Sequence, residues 1–184
     1  MFWLEFGGRV GYRFPMLGNS LGALFRTAAL LCLLLSAAGC GLMKTVPEPE
    51  DVRISEVRRS IHCGTEQRHA ALSYFPTPED WLGWQADRGV HIVSADKLPD
   101  GPLLLLEMGQ RRTGGYFIEP RPDATIDRDR VMWLAGEWTR PGKDRMVTQM
   151  LTSPCVLLSI PPRDYRGFRI IDQNEELRSS LDLS

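Results

Sequence analysis

A chain of 184 residues with 43% hydrophobic content is long enough for one domain of ordinary size plus appendages. Its formal charge of −1 comes from 22 basic and 23 acidic residues dispersed along the sequence, which excludes a nucleic-acid surface as the working partner. Its four cysteines, at 32, 40, 63 and 155, contain no C-x-x-C pair, so zinc-finger, dithiol-redox and haem-attachment spacings are excluded too.

The first element is Ala28–Leu35, an unbroken apolar run with Arg26 before it and Ser36-Ala37-Ala38-Gly39-Cys40 after it. It falls well short of the roughly 20 residues that a membrane-spanning helix needs. A basic start, a short apolar core and small residues at its end describe a secretory signal peptide over 1–39. The stretch L-S-A-A-G-C further resembles the lipobox of bacterial lipoproteins, with Ala37 where Leu is commonest. That resemblance implies that Cys40 carries lipid and becomes the first residue after cleavage. Plain cleavage after Ala38 is the other reading. The aromatics Phe2, Trp3, Phe6, Tyr12 and Phe14 do not suit the start of a signal peptide, whereas Met16–Gly39 has an ordinary shape, so Met16 is the expected start.

Removing 1–39 takes away three Arg and one Glu, leaving 19 basic and 22 acidic residues, formally −3. Three acyl chains, as in the lipoprotein pattern, make attachment stable where one would be marginal. Gly41 rather than Asp after the cysteine implies, by resemblance to enterobacterial sorting, the outer membrane with the domain facing the periplasm. Residues 40–51, with two prolines, three acids and no apolar periodicity, read as a tether.

The β-rich domain is expected over 52–172. Val52–His62 alternates loosely as a strand, and Arg68–Phe75 is a better one. Thr77-Pro78-Glu79-Asp80 starts a helix, with Thr as N-cap, Pro in the first turn and acids beside it. That helix runs to about Arg88 and is ended by Gly89, with Trp81 and Trp84 as core or as a ligand box. The most apolar run, Leu103–Leu106, is expected in a central strand covered on both faces.

It leads into Gly109–Pro120 (G-Q-R-R-T-G-G-Y-F-I-E-P), around which the chain is organised. Two strand-like runs flanking Gly114-Gly115 predict a hairpin, because glycine takes φ > 0 without steric cost. The same residues, Thr113–Tyr116, read alternatively as backbone and a tyrosine presented to another protein. Arg121–Asp127 is polar and contains proline, and Arg130–Trp138 is strand-like. A Pro141-Gly142 turn follows, then strands over Met146–Leu151, Cys155–Ile160 and Tyr165–Ile171, and a charged, frayed tail over 173–184. Short strands at this spacing with one helix predict a mainly β fold, a small antiparallel β-sandwich.

Catalytic patterns are missing from the sequence. No H-E-x-x-H, G-x-S-x-G, P-loop or G-x-G-x-x-G is present, and His62, His69 and His91 lie in or beside strand-like segments. The expectation is no enzyme, no metal and no cofactor. With Cys32 lost in the signal and Cys40 lipidated, Cys63 and Cys155 remain in an oxidising compartment, either as a disulfide or as two buried thiols.

Thr113-Gly114-Gly115-Tyr116, Val147-Thr148-Gln149 with Thr152-Ser153-Pro154, and the apolar strand ending at Pro161 together resemble the C-terminal domain of the PrcB family of protease-complex subunits. The likeness spans about 103–162. It implies an envelope lipoprotein that assembles with and stabilises a protease, with partner contact through Thr113, Gly114, Gly115 and Tyr116 and through Thr152, Ser153 and Pro154. Cys155 stands where the family more often has an aromatic residue, which favours the disulfide. T-G-G-Y is also similar to the inhibitory loop of chagasin-type β-sandwich inhibitors, so a loop-inserting protease inhibitor is the alternative, beside a generic structural lipoprotein.

Overall fold

Residues 48–183 are described by the structure, a computed structural model; the signal segment, Met16 and the lipid position Cys40 lie outside them. The described strands are β1 (Glu50–Arg53), β2 (Ser55–Ser60), β3 (Ala71–Phe75), β4 (Leu103–Glu107), β5 (Phe117–Ile126), β6 (Val131–Thr139), β7 (Cys155–Ser159), β8 (Gly167–Ile171) and β9 (Leu177–Asp182). One α-helix, α1 (Pro78–Arg88), follows β3. The strands form two sheets, ordered β1-β5-β6-β8-β9 and β2-β7-β4-β3. Among them every pairing is antiparallel except β6 with β8. The architecture is the mainly β sandwich expected from the sequence.

The leucine run explains the layering. Alternate side chains of a strand point to opposite faces, so Leu104 and Leu106 enter the core between the sheets, with Val156 and Leu158 of β7. Leu103, Leu105 and Leu157 point the other way, into a second core under α1. All five residues of β4 are buried, and β7 and β3 pair with its two edges. β4 is therefore central and covered on both faces.

Helix α1 forms where the capping residues place it. Thr77 Oγ1 accepts from the Asp80 amide while the Asp80 carboxylate accepts from the Thr77 amide, and Gly89 closes the helix at φ +63°. Trp81 is fully buried and stacks on Trp84 with centroids 4.9 Å apart, so this pair belongs to the core under the helix. Gln85, also buried, accepts from the Ile92 and Val93 amides and donates to the Val93 carbonyl, tying down the loop after the helix. Arg88 at the last turn donates to Glu107 at 2.6 Å, neutralising a carboxylate only 2% exposed.

Several sequence expectations are corrected. The run Val52–His62 is two strands in two sheets, because Ile54, buried and donating to the Pro122 carbonyl, marks the crossing point. Arg121–Asp127 is mostly strand: β5 passes through Pro120 and Pro122, and its register with β6 shifts between Pro120 and Ala124 where those residues lack an N–H. Met146–Leu151 forms no strand. The tail is not frayed, since Leu177–Asp182 is β9, paired with β8 at the sheet edge. Its turn is built by Asp172, whose Oδ1 accepts from the Asn174 and Glu176 amides.

The predicted hairpin is also overturned. β4 and β5 lie in different sheets, and Gly109–Tyr116 crosses between them. Both edges of β4 are already taken, so β5 has no place beside it.

Candidate functional site

The crossover is stitched to its surroundings over most of its length. Gly109 holds φ +85°, and a Cβ there would lie 2.6 Å from the His69 carbonyl oxygen and 2.8 Å from the Arg68 carbonyl carbon. The Gln110 amide donates to the Gln67 carbonyl at 2.6 Å. Arg111 and Thr152 exchange both backbone hydrogen bonds, at 2.7 and 2.9 Å. Thr152 Oγ1 donates to the Thr113 carbonyl at 3.0 Å, and the Gly114 amide donates to the Thr148 carbonyl at 2.8 Å. Gly115, at φ +81°, packs where a Cβ would meet Val147 at 3.0 Å and Pro141 at 3.1 Å. The two separate motifs seen in the sequence are thus one unit, with 111–115 lying along 147–152.

Within that unit the candidate contact residues divide. Thr152, Ser153 and Pro154 are buried. Ser153 Oγ accepts from the Cys63 amide at 2.8 Å and the Gly64 amide at 3.1 Å, and the Ser153 amide donates to the Ile61 carbonyl. The segment is a clamp on the chain entering the Cys63–Cys155 disulfide, whose Cα atoms lie 6.1 Å apart. Both thiol positions are buried in the core beneath α1.

Thr113 and Gly114 are partly buried, and Gly115 is exposed. Tyr116 packs against the core between the sheets, with the Arg111 guanidinium 5.6 Å over its ring. The exposed apolar surface of the unit comes from Met146, Met150 and Leu151, with Ile61 across the clamp. Composition could not single these out, because apolar residues at 146–151 read equally well as a strand.

Arg111 is the residue that sequence reasoning passed over. Its guanidinium donates to the carbonyls of Met108 at 2.5 Å and Arg68 at 2.9 Å. Burial lowers its pKa; the like charges of Arg140 and Arg178 add to that, and Tyr116 opposes it. Among the described residues no three His, Cys, Asp or Glu side chains gather as a metal site would require.

No curated protein and no solved structure matches the chain. Residues 103–161 match the family model described as PrcB C-terminal. That stretch begins with β4 and includes the crossover, the clamp and β7, so both motifs carrying the likeness fall inside it. Over Leu103–Pro161 the chain is thus similar to the PrcB C-terminal family.

Proposed function

We propose that this chain is a non-enzymatic, lipid-anchored protein of the bacterial envelope that binds and stabilises a protein partner, of which a secreted or surface protease is the class. The family match over 103–161 supports association with a protease complex. One observation carries the contact surface: Met146, Met150 and Leu151 stand exposed on an irregular segment fastened to the crossover. Each large apolar side chain covered by a partner is worth roughly 1.5–3 kcal/mol, and methionine adapts to irregular surfaces. Stabilisation is favoured over inhibition because Arg111–Gly114 is hydrogen-bonded to 148–152, which leaves no free loop to enter a cleft.

The test is capture from envelope extracts with the full-length lipidated protein. Met146→Ser together with Leu151→Ser should cut partner recovery at least tenfold, with the melting temperature nearly unchanged because both side chains are exposed. Gly115→Val probes the neighbouring turn, where the strained φ costs about 1–3 kcal/mol. A folded Gly115→Val protein with undiminished capture refutes contact through the turn backbone.

Anchoring is tested separately. Mass spectrometry of the membrane fraction should find Cys40 as the lipidated first residue, and Cys40→Ser should leave the precursor unprocessed. An unmodified terminus at Gly39 refutes the anchor.

A further inference from the structure

Beside the crossover lies a cavity of about 460 Å³. Its wall carries four arginines brought from four parts of the chain: Arg68 before β3, Arg111 in the crossover, Arg140 after β6 and Arg178 in β9. Tyr116, Trp138, His69, Ala70 and Met108 complete it, and among the described residues no Asp or Glu lines it.

Arg178 has carboxylates behind it, Asp172 at 3.6 Å and Glu176 at 3.7 Å. Among the described residues, Arg68, Arg111 and Arg140 have no carboxylate within the 4.0 Å of an ion pair. Arg68 and Arg140 are exposed and Arg111 is half-buried; like charge gathered around a half-buried guanidinium is unfavourable, and an entering anion relieves it. Two of the guanidiniums lie over aromatic rings, Arg111 over Tyr116 at 5.6 Å and Arg178 over Trp138 at 5.1 Å. A planar guanidinium offers the fork geometry that matches a carboxylate. Trp138, 6% exposed, also has a buried indole N–H with no acceptor.

We propose that this cavity binds the side-chain carboxylate of an acidic peptide segment. The inference rests on the protein-partner reading above, since the partner would supply that segment. A peptide is favoured over a bare phosphate on two grounds. The volume lies in the range of pockets that enclose a whole small ligand. The Tyr116 and Trp138 rings also give apolar surface to the methylenes that carry an Asp or Glu carboxylate. Arg111 also holds backbone carbonyls in place, so the variants of choice are Arg68→Gln and Arg140→Gln, whose side chains make no such bonds.

The experiment is calorimetric titration of the full-length protein in neutral detergent. The ligands are a capped glutamate-rich hexapeptide, its glutamine counterpart, inorganic phosphate and glycerol phosphate. The glutamate peptide should bind and the glutamine peptide should not. Each arginine variant should weaken binding about tenfold or more, as expected for one charge-assisted hydrogen bond, with the melting temperature unchanged. Ligand-dependent quenching of fluorescence should vanish in Trp138→Phe. Equal binding of the two peptides, or full affinity in Arg68→Gln and Arg140→Gln, overturns the assignment. So does binding of phosphate or glycerol phosphate by a protein that ignores the glutamate peptide. Absence of peptide binding while partner capture persists overturns the cavity assignment alone. Peptide binding with no protein captured supports the cavity and counts against the partner reading.

Discussion

Gly109→Ala is expected to destabilise the domain by about 3 kcal/mol or more, a large share of the 5–15 kcal/mol typical of a folded domain. Two costs combine. An alanine at φ +85° is strained by about 1–2 kcal/mol. Its Cβ would also sit 2.6 Å from the His69 carbonyl oxygen, a backbone atom that cannot swing aside as a side chain would. Relieving that overlap moves the chain before β3 away from the crossover, at a further cost of about 1–3 kcal/mol.

Thermal melts should show a fall on the order of 10 °C. Gly83→Ala is the matching control, because it lies inside α1 with open space around its Cβ position. There the helix propensity of alanine should stabilise the protein by about 0.5–1 kcal/mol. Opposite signs for the same chemical change identify the crossover as a close approach of backbone to backbone. A Gly109→Ala protein as stable as the parent sinks that account.

Reduction of Cys63–Cys155 is expected to be the costliest single change. The bond joins positions 92 apart, and in the chain-entropy account cross-linking over that span restricts the unfolded chain by about 4–5 kcal/mol. Some of the local pairing survives without it, because Ser153 still accepts from the Cys63 and Gly64 amides and donates to Ile61. The expected loss is therefore about 3–4 kcal/mol, read as a lower urea midpoint with reductant present. Cys63→Ala with Cys155→Ala should show the same midpoint with and without reductant. Non-reducing peptide mapping of the native protein should recover the linked pair. Two alkylatable thiols without reductant would count against the bond.

The two changes act on opposite ends of one device. Gly109 lets the crossover leave β4 against the His69 carbonyl, and the clamp at Thr152-Ser153 holds both the crossover and the entry to the disulfide. The exposed Met146, Met150 and Leu151 are presented from this braced edge. A surface positioned in this way loses little conformational entropy on binding, which favours affinity.

Some of these features can be read directly from the order of residues. Thr77, Pro78, Asp80 and Gly89 bound α1, because caps act through neighbours within one turn. Four successive leucines announce a strand buried on both faces, since a strand exposed on one face would alternate. Of the four cysteines, the structure joins Cys63 and Cys155.

What the tertiary structure alone decided is which segments become partners. The Gly114-Gly115 signal is local and would suit a hairpin, yet β3 and β7 already occupy both edges of β4, so the chain crosses to the other sheet. Leu177–Asp182 reads as tail because its short polar residues suit an edge strand only when β8 is there to pair with them. Arg68, Arg111, Arg140 and Arg178 belong to no pattern along the chain. They share one cavity only because two sheets, a crossover and an edge strand converge there, and no spacing rule reports a contact made through space.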